Sequence, residues 1–383
     1  MRPNLMLTGL LLALAPVAAQ AQERKPACNG ETCKQRLVYI GTRTGGPGNG
    51  ILAARFDPKT GALTGIGLVA EVERPTWVLP DAHRLIYSVS ETGAEAKIYS
   101  FSADVRTGAL TQISRVSSGG GGATHMAINA KKPSILVANY GTGQVSVVPL
   151  RRGGVLLPVS SVQSNYGTGP SPRQTQPHAH GVAIDKGGRF VLASDLGADR
   201  IFVYRFDSAT LKLSPAVTPF VAARPGSGPR HVVLHPGGKF AYVNSELTSE
   251  ITSYSWNGKT GQLQPLTTLS TLPPGYTGAN SSGEIAVSPD GRFLYASNRG
   301  EDTLVVYAID RITGGLTEIQ RIASGGKKPW AFMPDPGGRW LLVANEGSDQ
   351  VTVFARDPAS GKLTATGQRL SVLHPSSIAF LAR

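Results

Sequence analysis

Cysteine is nearly absent from this chain of 383 residues: there are two, Cys28 and Cys33, both near the N-terminus. A disulfide scaffold or a thiolate metal site would need more. Aromatic residues are 7% of the chain and are not interleaved with basic ones. No dense Lys/Arg run exists, Arg151-Arg152 and Lys327-Lys328 coming nearest, so a nucleic-acid partner is not expected. Acidic residues are outnumbered 25 to 38, giving a formal net charge of +13. That surplus suits an anionic small molecule or an anionic envelope surface, and equally plain solubility. No apolar run is long enough for a stable membrane span; the one candidate, Leu5 to Val17, is short and broken by Pro16. Oligomeric state is not readable.

That run follows Arg2 and precedes Ala19-Gln20-Ala21, the basic, apolar, small-x-small order of a secretory signal. Residues 1–21 are expected to be a signal peptide, and the protein secreted to the periplasm. Residues 22–34 form a tail in which Asn29-Gly30 turns the chain between the two cysteines, and an oxidising compartment allows them to join.

From residue 35 to 383 the chain is repetitive. The segments LVYIGT, LIYSVSET, ILVANYGT, FVLASDLG, FAYVNSEL, FLYASNRG and LLVANEGS recur, their matched positions Thr42, Ser90, Asn139, Asp195, Ser245, Asn298 and Asn345 lying 47 to 56 residues apart. Short β-branched and aromatic runs separated by turn residues read as antiparallel hairpins. A period near fifty with no helical stripe predicts an all-β fold, the β-propeller. Asx-Gly turns such as DPKTGAL at Asp57 and NGKTGQL at Asn257 close the other hairpin of each unit, with degenerate copies at Leu150 and Asp207. An inner strand precedes each repeated segment except the first, and its missing copy lies at Pro375–Phe380. The reading is a seven-bladed β-propeller closed by the C-terminal strand joining the first blade.

Strand direction places the start of every inner strand and the end of every second strand at one end of the ring. Chemically able residues crowd there, among them His178, His180, Asp195, Arg230, Glu246, Glu284, Asn298 and Arg299. The irregular stretch 161–176 precedes the fourth inner strand at the same end, and long loops in compact domains are often functional. His125 and His231 read as packing or loop hydrogen bonds, and Trp77 and Trp330 as inter-blade packing. Glu91, Asn139, Asp195, Asn298 and Asn345 occupy equivalent positions with oxygen donors that would suit Ca²⁺.

PHAHGVAID, GSGPRHVVLHPGGKFAYVNSEL, SSGEIAVSPDGRFLYASNRG and KPWAFMPDPGGRWLLVANEGSDQVTVF together resemble the seven-bladed lactonase family, which includes propeller-type 6-phosphogluconolactonases and 3-carboxymuconate cyclases. The resemblance covers the chain from about residue 35. It implies lactone hydrolysis with no cofactor and no metal, at a catalytic set of His180 (His178 its rival), Arg230, Glu246 and Arg299. His178, Asp195, Glu284 and Asn298 are expected to bind substrate. Glu246 or His180 would be the base, and the two arginines would hold an anionic sugar lactone or aldonolactone and the developing oxyanion. A muconate-type cycloisomerase could use the same residues. A non-catalytic envelope-binding propeller could present the same mouth.

Overall fold

The computed structural model describes residues 35–382 apart from Pro47. The expected signal peptide and the tail with Cys28 and Cys33 lie outside the described residues. Seven antiparallel sheets follow one another around a ring. Among the described residues the only helical element is a 3-10 turn, Glu346–Ser348. Six sheets have four strands. Blade four, for example, runs Ala179–Ile184, Phe190–Asp195, Arg200–Asp207 and Lys212–Ala222 from the channel outward. Blade three departs from the pattern: its outer strand is split into Val155–Leu156 and Ser161–Ser164, both paired with Gln144–Arg151. The degenerate LRRGGVL hairpin leads into the first piece, and residues 157–160 separate it from the second.

The ring closes as the repeats imply. Pro375–Phe380 pairs antiparallel with Arg36–Thr42, matching Val38 to Phe380 and Ile40 to Ile378, and so forms the inner strand of blade one. Both ends of the repeat array are tied together in one sheet, which covers the inner edge that Arg36–Thr42 would otherwise expose.

The Asx-Gly turns seat each blade on its neighbour. In blade five, Lys259 N donates to Asn257 Oδ1 at 3.0 Å, and Gly261 follows at φ +78°. A Cβ at Gly261 would stand 2.4 Å from the Phe190 ring of blade four. Gly314 of blade six meets Phe240 of blade five in the same way, at 2.5 Å. Glycine is required twice over there, for its backbone angle and for the close approach. The core lies between blades: Leu136, Ala138 and Val147 of blade three pack with Val191, Ala193 and Phe202 of blade four.

A second set of contacts positions the inner strands around the channel. Ser194 Oγ donates to the Arg230 carbonyl at 2.6 Å, Asn244 Nδ2 to the Gly283 carbonyl at 2.9 Å, and Ser297 Oγ to the Pro329 carbonyl at 2.9 Å. These three residues occupy one repeat position in blades four, five and six. Each reaches the inner strand of the following blade, Pro229–Leu234, Ser282–Val287 and Pro329–Pro334 in turn. Blades four to seven are thereby held in register at the polar end of the channel.

Candidate active site

Glu246 follows the second strand of blade five, Phe240–Ser245, and its backbone N–H donates to the Gly228 carbonyl at 2.7 Å. Its carboxylate gathers the other three expected catalytic residues at one point. Oε2 lies 2.8 Å from Arg299 Nη2, 3.2 Å from Arg230 Nε and 3.5 Å from His180 Nε2. Oε1 takes a further cation, Arg173 Nη1, at 2.6 Å. Burial by itself pushes the Glu246 carboxyl up, but Arg299, His180 and Arg230 outweigh it and hold the group well below the usual carboxylate range. A carboxylate so surrounded stays ionised and is a poor proton acceptor.

Arg230 opens its inner strand, is buried, and is pinned from two sides. Nε meets Glu246, and Nη1 donates to the Gly283 carbonyl. Position 283 is kept a glycine by the other side of the strand, where a Cβ would lie 2.4 Å from Ser297 Oγ and 2.5 Å from the Pro329 carbonyl. Burial and the charge of Arg299 bring the Arg230 pKa down to about 10. Arg299 is buried rather than exposed in its turn, and its guanidinium lies 4.3 Å from the Trp330 ring centre. Trp330 also carries Arg43 at 4.0 Å. It is therefore a platform for two cations at the mouth and more than the inter-blade packing expected of it.

His180 is buried at the start of its inner strand, its ring 5.4 Å from Tyr140 and 5.3 Å from His231. Burial and Arg230 lower its pKa, which keeps the imidazole neutral near pH 7. Nε2 faces Glu246, while Nδ1 has no hydrogen-bond partner among the described residues. The same holds for Arg299 Nε. Both atoms are buried and unpaired among the described residues.

The four residues expected to bind substrate are placed differently. His178 stacks on Tyr140 at 4.4 Å, and its Nδ1 donates to the Tyr140 carbonyl at 2.8 Å. Asp195 is fully buried; Oδ1 accepts from the backbone N–H groups of His178 and Ala198, each at 2.8 Å, and Oδ2 from Asn165 at 2.7 Å. Asn298 is fully buried too, with Oδ1 accepting from Thr271 Oγ1 at 2.7 Å and Nδ2 donating to the Thr271 carbonyl at 2.8 Å. Both residues hold loops. Asn139 and Asn345 are likewise fully buried and hydrogen-bonded, to Ser146 and Thr352 of their own blades. Among the described residues no group of three or more His, Cys, Asp or Glu side chains could hold a metal ion.

Glu284 lies deeper, its Oε1 2.8 Å from His231 Nδ1. Burial pushes the Glu284 carboxyl up. Burial and Arg230 push His231 well below its ordinary value. The His231 ring lies 4.6 Å from that of His125, tilted against it, and His125 in turn lies 4.2 Å from Trp77. His125 Nδ1 accepts from the Val182 N–H at 3.2 Å, so its proton is on Nε2. This layer floors the mouth. On its far side a channel cavity of about 460 Å³ is lined by apolar residues such as Val182, Val232, Ile285 and Phe332, and Glu246, Arg230 and Arg299 do not reach it. Sequence reasoning placed Tyr140 at the polar end without a role, and passed over Arg173. The signal available was the irregular stretch 161–176, which carries Arg173.

Residues 37–380 match the family described as "Lactonase, 7-bladed beta-propeller". The chain belongs to that seven-bladed lactonase family. It is 30% identical over 300 residues to the 6-phosphogluconolactonase of Bacillus subtilis, covering 78% of this chain and 85% of that one. A probable 6-phosphogluconolactonase of Arthroderma benhamiae is 34% identical, over 76% and 75% of the two chains. Among solved structures, the Pseudomonas aeruginosa periplasmic gluconolactonase PpgL superposes with a TM-score of 0.86 at 36% identity, covering 91% of this chain and 99% of its own. Lactone hydrolase is the enzyme class of these named relatives.

Proposed function

We propose that this protein is an exported, periplasmic lactonase that opens an anionic sugar lactone or aldonolactone at the polar mouth of the propeller, without a metal. The observation that carries the reading is the meeting of Arg230, Arg299, Arg173 and His180 on the single carboxylate of Glu246. Three guanidinium groups facing one carboxylate leave positive charge over, which favours an anionic ligand. Export is supported by the N-terminal signal pattern, and by similarity to a protein described as periplasmic.

In the proposed reaction His180 Nδ1 takes a proton from a water molecule as its oxygen attacks the lactone carbonyl carbon. Arg230 and Arg299 face the carbonyl oxygen as it gains charge. Glu246 keeps both arginines in place and balances the imidazolium that forms. Collapse of the tetrahedral intermediate breaks the bond to the ring oxygen, which takes the proton back from His180. The product is an open hydroxy acid, which ionises and releases one proton.

The test is hydrolysis of gluconolactone and 6-phosphogluconolactone by purified mature protein, followed by a pH indicator with and without EDTA. Turnover that survives chelator and disappears in Arg230→Ala and Glu246→Ala supports the reading. Absence of turnover on every lactone tried would sink it.

A further inference from the structure

Arg173 differs from the other two arginines on Glu246 in one respect. Arg230 and Arg299 side chains are 2% and 6% exposed, whereas that of Arg173 is 49% exposed. The buried pair is locked into the floor of the mouth. Arg173 reaches in from outside, from the irregular stretch before blade four, and its Nη2 donates to the Tyr140 hydroxyl at 3.0 Å.

The stretch is built to hold that arm. Gln174, the next residue, is fully buried. Its Nε2 donates to the Leu196 carbonyl at 2.8 Å and to Asp199 Oδ1 at 2.7 Å, and its Oε1 accepts from Ser171 N–H at 3.0 Å. Gly169 N–H closes the loop on the Gln174 carbonyl at 3.0 Å. The backbone at 173 is therefore anchored while the guanidinium hangs over the carboxylate. Its partner oxygen is also separable: Oε1 of Glu246 pairs with Arg173, and Oε2 with Arg230, Arg299 and His180. Moving Arg173 away leaves the contacts at Oε2 in place.

We propose that Arg173 is the specificity-determining residue of the mouth, exchanging Glu246 Oε1 for the phosphate or carboxylate substituent that a lactone carries away from its reacting carbonyl. This rests on the lactonase reading above. Arg230 and Arg299 serve the carbonyl, and Arg173 reads the rest of the substrate. A guanidinium presents a planar fork that matches either anion, and a half-exposed one loses little hydration in the exchange.

The experiment compares kcat/KM for three lactones: 6-phosphogluconolactone, a glucarolactone with a free carboxylate, and uncharged gluconolactone. Arg173→Ala is expected to lower the charged-to-uncharged ratio by about tenfold or more, the loss of one charge-assisted pair. Arg173→Lys should restore part of it. Arg43→Ala removes the same charge from the same mouth and is the control for a general field. An unchanged ratio in Arg173→Ala, or an equal fall in Arg43→Ala, overturns the proposal. The phosphate and carboxylate substrates separate the two anion sources. A second arm needs no turnover: 6-phosphogluconate and gluconate are titrated calorimetrically into wild type and Arg173→Ala. If wild type hydrolyses no lactone, the function proposed above fails. A preference for 6-phosphogluconate that vanishes in Arg173→Ala would still uphold Arg173 as the anion reader. Equal affinity of wild type for both acids would overturn it.

Discussion

Arg230 Nε and Glu246 Oε2 stand 3.2 Å apart, sixteen residues distant in sequence and both almost fully buried. Arg230 opens the inner strand of blade five and Glu246 ends the hairpin that follows, so one blade supplies both. Removing one partner of a buried ion pair leaves the other uncompensated, typically at a cost of about 3–5 kcal/mol. Glu246→Gln strips the counter-charge from three arginines at once. It is expected to lower the melting temperature clearly and to reduce kcat/KM at least about 100-fold, since loss of a group that preorganises charge stabilisation has that scale. Thermal unfolding and kinetics on the same sample check both. Near wild-type stability with near wild-type rate would show that the cluster is incidental.

Asp195 gives the opposite expectation. Its oxygens accept from Asn165, the His178 N–H and the Ala198 N–H, so its work is to hold the loop entering blade four. Asp195→Ala leaves those donors buried and unpaired, a loss of roughly 1–3 kcal/mol per group. The variant should melt earlier but keep kcat within about tenfold, because no transition-state contact is removed. A kcat collapse at unchanged melting temperature would return Asp195 to the site.

The rate should depend on pH through His180. Burial and Arg230 keep its pKa below the ordinary histidine value of 6.5. The neutral base then predominates at pH 7, and across the range from about pH 5 to 8 kcat/KM should fall on the acid side alone, below pH 6.5. His180→Gln should lower the rate about 100-fold or more and abolish that acid limb, as expected for a lost general base. An identical limb in His180→Gln would assign the titration to another group.

How much of this was legible in the sequence follows from what repeats. Turn residues and strand runs recur every fifty residues or so, because each blade solves the same folding problem, and the C-terminal strand betrays ring closure by filling the one missing inner position. The polar end was legible for the same reason. The meeting of His180, Arg230, Glu246 and Arg299 was expected from the family resemblance, not from the repeat; the other contacts across the mouth were not legible, since they depend on how blades face one another over the channel. Trp77, His125 and His231 come from blades two, three and five and still pack ring against ring. The repeat also treats Asn298 and Arg299 as neighbours of one kind, although one side chain turns into the blade and the other into the mouth. Arg173 belongs to no repeat at all, so periodicity had nothing to say about it.

Acid stability follows from the floor of the mouth. His180 and His231 are buried and His125 is half-buried, and all three have pKa values below the ordinary one; lost hydration is the largest cause for each, followed by His231 for His125 and by Arg230 for the other two. Above pH 6.5 these residues are uncharged in both folded and unfolded chains, and stability owes nothing to their titration. Below pH 6.5 the unfolded chain takes up protons that the folded one refuses, so stability falls with pH until the folded values are reached. Glu284 acts against this, because its raised pKa lets the folded state hold a proton above the ordinary 4.5. Asp195, also raised by burial, acts the same way, and three histidines against two carboxyls leave a net loss on acidification. Urea midpoints should be flat from pH 8 to 7 and decline from 6.5 to 5, each histidine contributing up to about 1.4 kcal/mol per pH unit. His125→Phe keeps a ring between Trp77 and His231 and removes one titrating group. It leaves the Val182 N–H without its acceptor, which costs stability at every pH, so the informative quantity is the slope. That slope should be shallower than wild type by up to one proton. Parallel slopes would mean that the folded chain protonates His125 as readily as the unfolded one, and that the buried histidine layer does not set the acid limit of the fold.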